Sequence, residues 1–275
     1  MNIKFRYMTL DEVSFVLGWS AFQTDGILPL SEGTFYLYPE IKDNINILQD
    51  ADYNKRIDII SKLIKEKYDD CINEFNNKKI KEHYQDVWYK YNDDYFKTLS
   101  NYFNVKLNKD VDASIGLIPV CPRDIDDLSF SVDLRDDERL IDTCMHECCH
   151  YYFFETCKKI FKNLKNEDFN NPSMLWYLSE ISIDAILNRD EFQKLFKHDF
   201  RTYDNFYDIE INGECIVDAI KRIFDNNDVE SSIKKGLKYL NDNKQEFLKK
   251  CNGWKRIVIT VERMWKYDLW ERIWL

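Results

Sequence analysis

Residues 143–152 read TCMHECCHYY, and the rest of the chain is best interpreted around this stretch. It contains the pattern H-E-x-x-H, as His146, Glu147 and His150. Side chains four residues apart on an α-helix differ by about 40° in azimuth, so both imidazoles leave one face of the helix. Two imidazoles that bind Zn²⁺, beside a carboxylate that takes a proton from a metal-activated water, form the arrangement that hydrolysis needs. The pattern therefore predicts a zinc site on a helix.

The residues around this pattern favour a metal site over two surface histidines. Cys148 and Cys149 between the histidines are uncharged, and Tyr151 and Tyr152 follow. The chain has only four histidines, and two of them stand here. We expect His83, which is far from the pattern in sequence, to be a surface residue.

Composition excludes several classes of protein. Hydrophobic content of 44% with 15% aromatic residues is too high for a disordered chain. A formal net charge of −10 leaves no basic surface for nucleic acid or an anionic membrane. No run approaches the roughly 18 apolar residues that a membrane span requires. We therefore expect neither nucleic acid nor membrane as a partner.

The eight cysteines are predicted to be reduced thiols. Four of them fall within 144–157 on one predicted helix, where neighbours rarely meet the geometry of a disulfide. The first twenty residues lack the layout of a signal peptide, so a cytoplasmic location is expected. Cys144 and Cys148 should face away from the metal. Cys149 falls nearer to it, and we interpret it as a packed thiol rather than a ligand or redox switch.

The periodicity and capping signals predict a helix-rich α+β protein with a small mixed or antiparallel sheet. The linker between the third and fourth predicted strands suits an antiparallel pair. Pro119 predicts that the third is an edge strand, and an open edge gives the hypothesis that an extended peptide binds there by strand addition. The predicted strands are 2–8, 34–38, 113–120 and 128–134, and the predicted helices are 9–22, 50–75, 80–103, 136–161, 172–188, 214–224, 229–250 and 255–272.

A catalytic zinc needs a third protein ligand, and Glu180 is the best candidate. Phe153 and Thr156 stand where a glycine and a third histidine would follow on the same helix, which excludes that longer pattern. Glu180 lies among apolar residues of the next helix, where a carboxylate is costly to bury unless it is paired or binds metal. Asp184 lies one turn later on the same face, where it could accept the second N–H of a ligating histidine.

The pattern HECCH followed by E-x-x-x-D resembles the gluzincin group of zinc metallopeptidases, the thermolysin-like class, over about residues 110–190. The resemblance implies that His146, His150 and Glu180 bind zinc, that Glu147 is the general base and that Asp184 supports the first histidine. It also implies a zincin-like fold. We expect residues 1–165 to form an α/β subdomain with the active-site helix and residues 166–275 a helical subdomain with the third ligand, together one catalytic unit.

The resemblance implies hydrolysis of a peptide bond in a peptide or protein substrate by a metal-activated water. Gluzincins stabilise the oxyanion with a histidine or tyrosine that follows the third ligand, and the candidates here are His198, Tyr203 and Tyr207. Three alternatives stay open: a zincin-like binding or regulatory protein with little proteolysis, an aminopeptidase, and a protease specific for one cellular partner. The substrate and the oligomeric state do not follow from the sequence.

Overall fold

The computed structural model describes residues 1–23 and 30–253, which form two compact units. One unit contains Met1–Asn2, Tyr89–Lys109 and the chain from Asp142 onward, and the other contains Ile3–Trp88 and Asp110–Ile141. Both units are discontinuous in sequence, whereas the predicted subdomains are continuous segments. The division at residue 165 therefore stays a prediction.

The sheet belongs to the unit that begins at Ile3. Its strands lie in the order β1-β2-β4-β3. Strands β1, β2 and β4 are parallel to one another, and β3 is antiparallel to β4, so the sheet is mixed. The helix-rich α+β class is confirmed. The strands are β1 (Ile3–Tyr7), β2 (Val111–Ile115), β3 (Arg123–Asp124) and β4 (Ser129–Val132).

The predicted antiparallel pair is wrong, and so is the predicted edge strand. β2 ends at Ile115, before Pro119, and lies in the interior of the sheet between β1 and β4. The chain after β2 forms β3 and then returns as β4 parallel to β2, because the connection is long enough for a crossover. A strand with partners on both sides cannot accept a peptide, so strand addition at β2 is excluded.

The helices of this unit begin with a capping box that the sequence predicts. The Thr9 hydroxyl accepts from the Glu12 N–H at 3.2 Å, and the Thr9 N–H donates to Glu12 Oε2 at 2.7 Å. Arg6 donates to both carboxylate oxygens of Glu12, at 2.6 and 2.8 Å. The helices are α1 (Leu10–Ser20), α2 (Leu30–Leu37), α3 (Pro39–Asp43), α4 (Ile45–Asp50), α5 (Tyr53–Asn77) and α6 (Ile80–Tyr89).

The strand predicted at 34–38 is wrong, because this stretch lies mainly in helix α2. The Thr34 hydroxyl donates to the Leu30 carbonyl at 3.0 Å, and its oxygen lies 2.7 Å from the Ser20 hydroxyl. Burial of this small polar face against α1 outweighs the weak strand preference of β-branched and aromatic residues. Residues 24–29 lie outside the described part.

The second unit is built of helices with one short hairpin. Asn212 and Gly213, with φ of 55° and 80°, form the two-residue turn of that hairpin, which requires positive φ at both positions. The elements are α7 (Asn92–Phe103), α8 (Asp137–Ile160, which begins in the other unit), α9 (Met174–Leu187), α10 (Asp190–Gln193), α11 (Asp204–Tyr207), β5 (Glu210–Ile211), β6 (Glu214–Cys215), α12 (Ile216–Asp225), α13 (Val229–Asp242) and α14 (Lys244–Gly253).

Two long predicted helices are divided. The segment 80–103 breaks into α6 and α7 at Lys90–Tyr91, and 229–250 breaks into α13 and α14 at Asn243. Apolar periodicity continues through a short break, so it does not reveal one. The helix predicted at 255–272 lies outside the described residues. Among the helices that are described, none combines the length and apolarity needed to cross a membrane.

Candidate metal centre

Helix α8 carries the H-E-x-x-H pattern, with the bounds that the sequence predicts. Acidic residues in its first turn and Lys158 and Lys159 in its last turn complement the helix dipole. The Tyr95 hydroxyl donates to the carbonyl of Met145 and so ties α7 to α8 beside His146. The ring of His150 stacks on Phe154, with centroids 6.0 Å apart. Both histidines are thus on a helix that its neighbours hold in place.

Helix α9 brings the third predicted ligand. The Ser173 hydroxyl accepts from the Trp176 N–H at 2.9 Å and begins the helix where the sequence predicts. Every residue of α9 except Trp176 is buried, including Glu180 and Asp184. Two carboxylates on a wholly buried helix are costly unless each has a partner.

The ligand atoms of His146, His150 and Glu180 converge on one point. The two Nε2 atoms lie 2.9 Å apart. Glu180 Oε2 lies 3.3 Å from Nε2 of His146 and 3.4 Å from Nε2 of His150. Four tetrahedral ligands about 2.0–2.2 Å from a zinc ion would lie about 3.3–3.6 Å from one another. The two separations from Glu180 match this range, and the two imidazole nitrogens, at 2.9 Å, are closer than it. The three residues therefore form a group that could hold a metal ion.

The chemistry of these donors fits a divalent cation. When neutral, each imidazole offers a lone pair, and the carboxylate offers negative charge. The two nitrogen lone pairs and the carboxylate oxygen repel one another electrostatically. A proton on one imidazole would reduce only part of this repulsion, whereas a cation bound between the three atoms would offset it. Two histidines and one glutamate are also the ligand set of several catalytic zinc sites, in which the fourth position stays open.

Access to this centre is from the side of His146. The side chain of His146 is 21% exposed, whereas those of His150 and Glu180 are 0% and 1% exposed. Of the three side chains, that of His146 is therefore the one open to solvent. Glu147, the next residue of α8, is buried at 8% exposure.

No family model, curated protein or solved structure matches this chain. The assignment of the site therefore depends on its own geometry. Among the residues that the structure describes, one group of three or more His, Cys, Asp or Glu side chains has metal-binding geometry, and it is the predicted one.

Asp184 is hydrogen-bonded to a tyrosine, whereas the resemblance implies that it supports a histidine. Its Oδ2 accepts from the hydroxyl of Tyr207, and its Oδ1 lies 3.4 Å from Nδ2 of Asn188. Burial and the bond to Asp184 raise the pKa of Tyr207. The hydrogen bond holds Tyr207 at Asp184, which is one helical turn beyond Glu180. The support of His146 by Asp184 stays a prediction.

His198 lies beside α8, at Asp142. Its Nε2 is 3.7 Å from Oδ1 of Asp142, which forms an ion pair with it when the imidazole is protonated. Asp142 precedes His146 by four residues and so shares its face of the helix. Tyr203, the third predicted candidate, is 37% exposed, and its ring packs against Phe206 at 5.9 Å.

The structure also bears on the predictions made for the eight cysteines and for His83. All eight cysteines are free, and Cys144, Cys148 and Cys149 are buried. Burial raises the pKa of Cys148 and Cys149, which keeps both thiols protonated. Cys149 is therefore a packed thiol, as predicted. His83 is more than half exposed and lies 2.7 Å from Asp137, which confirms it as a surface residue.

Three residues near the site were missed by sequence reasoning. Asp142 could have been found, because its spacing of four from His146 places it on the ligand face. Thr202 donates to the Glu180 carbonyl at 2.8 Å, and Asn188 bonds to Phe200. No local signal marks these two, because their roles depend on how the chain folds back after α9.

Proposed function

We propose that the protein is a zinc-dependent peptide-bond hydrolase of the gluzincin type, with a zincin-like active-site helix. One observation carries the proposal: three ligand atoms of the right chemical types, on α8 and α9, converge to within 3.4 Å. The retention of Glu147 beside the first ligand supports catalysis, because a purely structural zinc site has no use for a base there.

His146, His150 and Glu180 would hold a zinc ion, which would supply a bound water with its pKa lowered towards about 7 and a Lewis acid for the substrate carbonyl. Glu147 then acts as general base. Its carboxylate accepts the proton of the attacking water and passes it to the leaving amine. Because the side chain is buried, the proton stays within the site between these two transfers.

A second group must stabilise the negative charge that develops on the carbonyl oxygen, and His198 is the best supported of the three candidates. It lies next to Asp142, which is one helical turn before His146 on the same face of α8. Tyr207 already donates to Asp184, which makes it the weaker candidate.

The experiment is cleavage of a peptide library by zinc-loaded protein, read by mass spectrometry. Wild type should cut, and Glu147→Gln should bind zinc but not cut. Glu155→Gln is the matched control, because Glu155 lies on the same helix and is largely exposed. If wild type binds zinc and cuts no peptide or protein, the alternative of a zincin-like binding or regulatory protein replaces the hydrolase.

A further inference from the structure

The segment between α10 and α11 is fastened to the end of α9 by one side-chain amide. Asn188 Nδ2 donates to the carbonyl of Phe200 at 2.7 Å, and the N–H of Phe200 donates to Asn188 Oδ1 at 2.9 Å. The amide thus satisfies both backbone groups of one residue, as a neighbouring strand would. This reciprocal pair fixes the position of Phe200 relative to α9.

Three further bonds hold the same segment. Gln193 Nε2 donates to the carbonyl of His198 at 2.6 Å and to Asn188 Oδ1 at 3.2 Å. At the other end, the Thr202 hydroxyl donates to the carbonyl of the ligand residue Glu180 at 2.8 Å. Residues 198–202 are therefore held at three points, by Gln193 of α10, by Asn188 at the end of α9 and by the carbonyl of Glu180 within α9.

The fastened segment carries His198 to its position. The side chain of Phe200 is buried, and its ring lies edge-on to the imidazole of His198 with centroids 5.3 Å apart. Phe196 contacts the same imidazole from its own side, at 5.6 Å. With its imidazole between these two rings, His198 has Nε2 at 3.7 Å from Oδ1 of Asp142 on α8. Displacement of Phe200 would remove a contact that orients this imidazole.

From these contacts we propose that Asn188 is a positioning residue, which holds the 198–202 segment so that the imidazole of His198 stays against Asp142 at the metal centre. The proposal rests on the proposed function for its catalytic consequence. Asn188 touches neither ligand nor substrate in this account and acts only through His198. Its amide is required because a single side chain must both donate and accept at Phe200.

The position of His198 is tested without any activity. The test observes the imidazole NMR signals of His198 in histidine-labelled protein with zinc bound. These signals are assigned by their loss in His198→Ala. In the wild-type background they should shift when Asp142 is replaced in Asp142→Asn. In Asn188→Ala they should no longer respond, and the amide of Phe200 should exchange faster. Asn227→Ala is the matched control, because Asn227 is another half-buried asparagine that bonds a carbonyl, that of Ile223. If the His198 signals in Asn188→Ala match wild type, the proposal is wrong.

The catalytic consequence is tested by a double-mutant cycle. Asn188→Ala should keep its zinc and lower kcat by about 10²-fold, since a small misplacement of a catalytic group has an effect of this order. The double variant Asn188→Ala/His198→Ala should be no slower than His198→Ala alone. Losses that multiply would overturn action through His198. If wild type proves inactive, the proposed function fails, and the ring signals still decide whether Asn188 positions His198.

Discussion

Glu180 Oε2 lies 3.3 Å from Nε2 of His146, although the two residues are on different helices and α9 is buried almost throughout. An acidic side chain is seldom buried unless it has a charged or metal partner. The same oxygen is 3.4 Å from Nε2 of His150. This relationship joins the two helices at one point.

Replacement of His198 should impair catalysis without loss of metal. His198→Ala should lower kcat by about 10²-fold, because removal of one donor to a developing oxyanion has an effect of this size. The measurement is steady-state kinetics on a peptide that the wild type cleaves, with zinc content determined in parallel. His83→Ala is the control, since that histidine is exposed on the other unit and should leave kcat unchanged. An unchanged kcat in His198→Ala would exclude His198 as the donor.

Loss of the Tyr207 hydroxyl should destabilise the fold. Asp184 is buried, and Tyr207→Phe removes the shorter of its two hydrogen bonds. Loss of a donor to a buried carboxylate typically costs about 1–3 kcal/mol in the free energy of unfolding. Urea unfolding would measure this, with Tyr89→Phe as the control, since the Tyr89 side chain is largely exposed. Equal stabilities for Tyr207→Phe and wild type would show that the bond to Asp184 contributes nothing.

The buried thiols of α8 should be unreactive in the native protein. Burial raises the pKa of Cys149, and the thiolate is the form that alkylates. Iodoacetamide should therefore label the half-buried Cys121 and Cys215 first and Cys148 and Cys149 only after unfolding. Peptide mass spectrometry of the labelled protein would show the order.

The Cys149 thiol should be dispensable for metal binding. We expect Cys149→Ala to retain zinc at the level of wild type, because its sulfur is not among the converging ligand atoms. Native labelling of Cys149 at the rate of Cys215, together with loss of zinc in the variant, would instead identify it as a ligand.

The contribution of Glu12 to stability should depend on pH. The hydrogen bonds from Arg6 lower the pKa of Glu12 from its usual 4.5 to about 2. A carboxyl whose pKa is lower in the folded state stabilises the protein above the unfolded pKa, and this contribution disappears as the pH falls through the folded one. Glu12→Gln should thus lower Tm by about 1–3 °C at neutral pH, an effect suited to a half-exposed ion pair.

Thermal unfolding between pH 7 and pH 2 measures this dependence. The Tm difference between wild type and Glu12→Gln should shrink as the pH falls from about 4.5 to about 2. Asp11→Asn, which removes a charge from the same helical turn, is the control. A difference that stays constant down to pH 2 would contradict the role of the Arg6 contact.

Local signals predicted the parts of the fold that local contacts determine. The capping box at Thr9, the N-cap at Ser173 and the limits of α8 all depend on residues within a few positions of each other. The predicted strand at 34–38 failed because packing of Thr34 against Ser20 decides its conformation. The antiparallel pairing predicted for the strands now seen as β2 and β4 was wrong, because tertiary packing rather than local sequence decides how strands pair.

The candidate site divides in the same way. The spacing of His146 and His150 on one helix placed both ligands, and the isolation of Glu180 among apolar residues identified the third. The Asn188–Phe200 bonds and the contact between His198 and Asp142 depend on how the chain returns from α10. Sequence periodicity contains no information about that return.

The metal content of purified protein, measured by elemental mass spectrometry after reconstitution, tests the central claim most directly. We predict about one zinc per chain in wild type, in Glu147→Gln and in the control Glu155→Ala, and its loss in Glu180→Ala. Because two histidines and a carboxylate also suit iron, all first-row metals should be measured together. Absence of zinc from reconstituted wild type, or full retention in Glu180→Ala, would contradict the account.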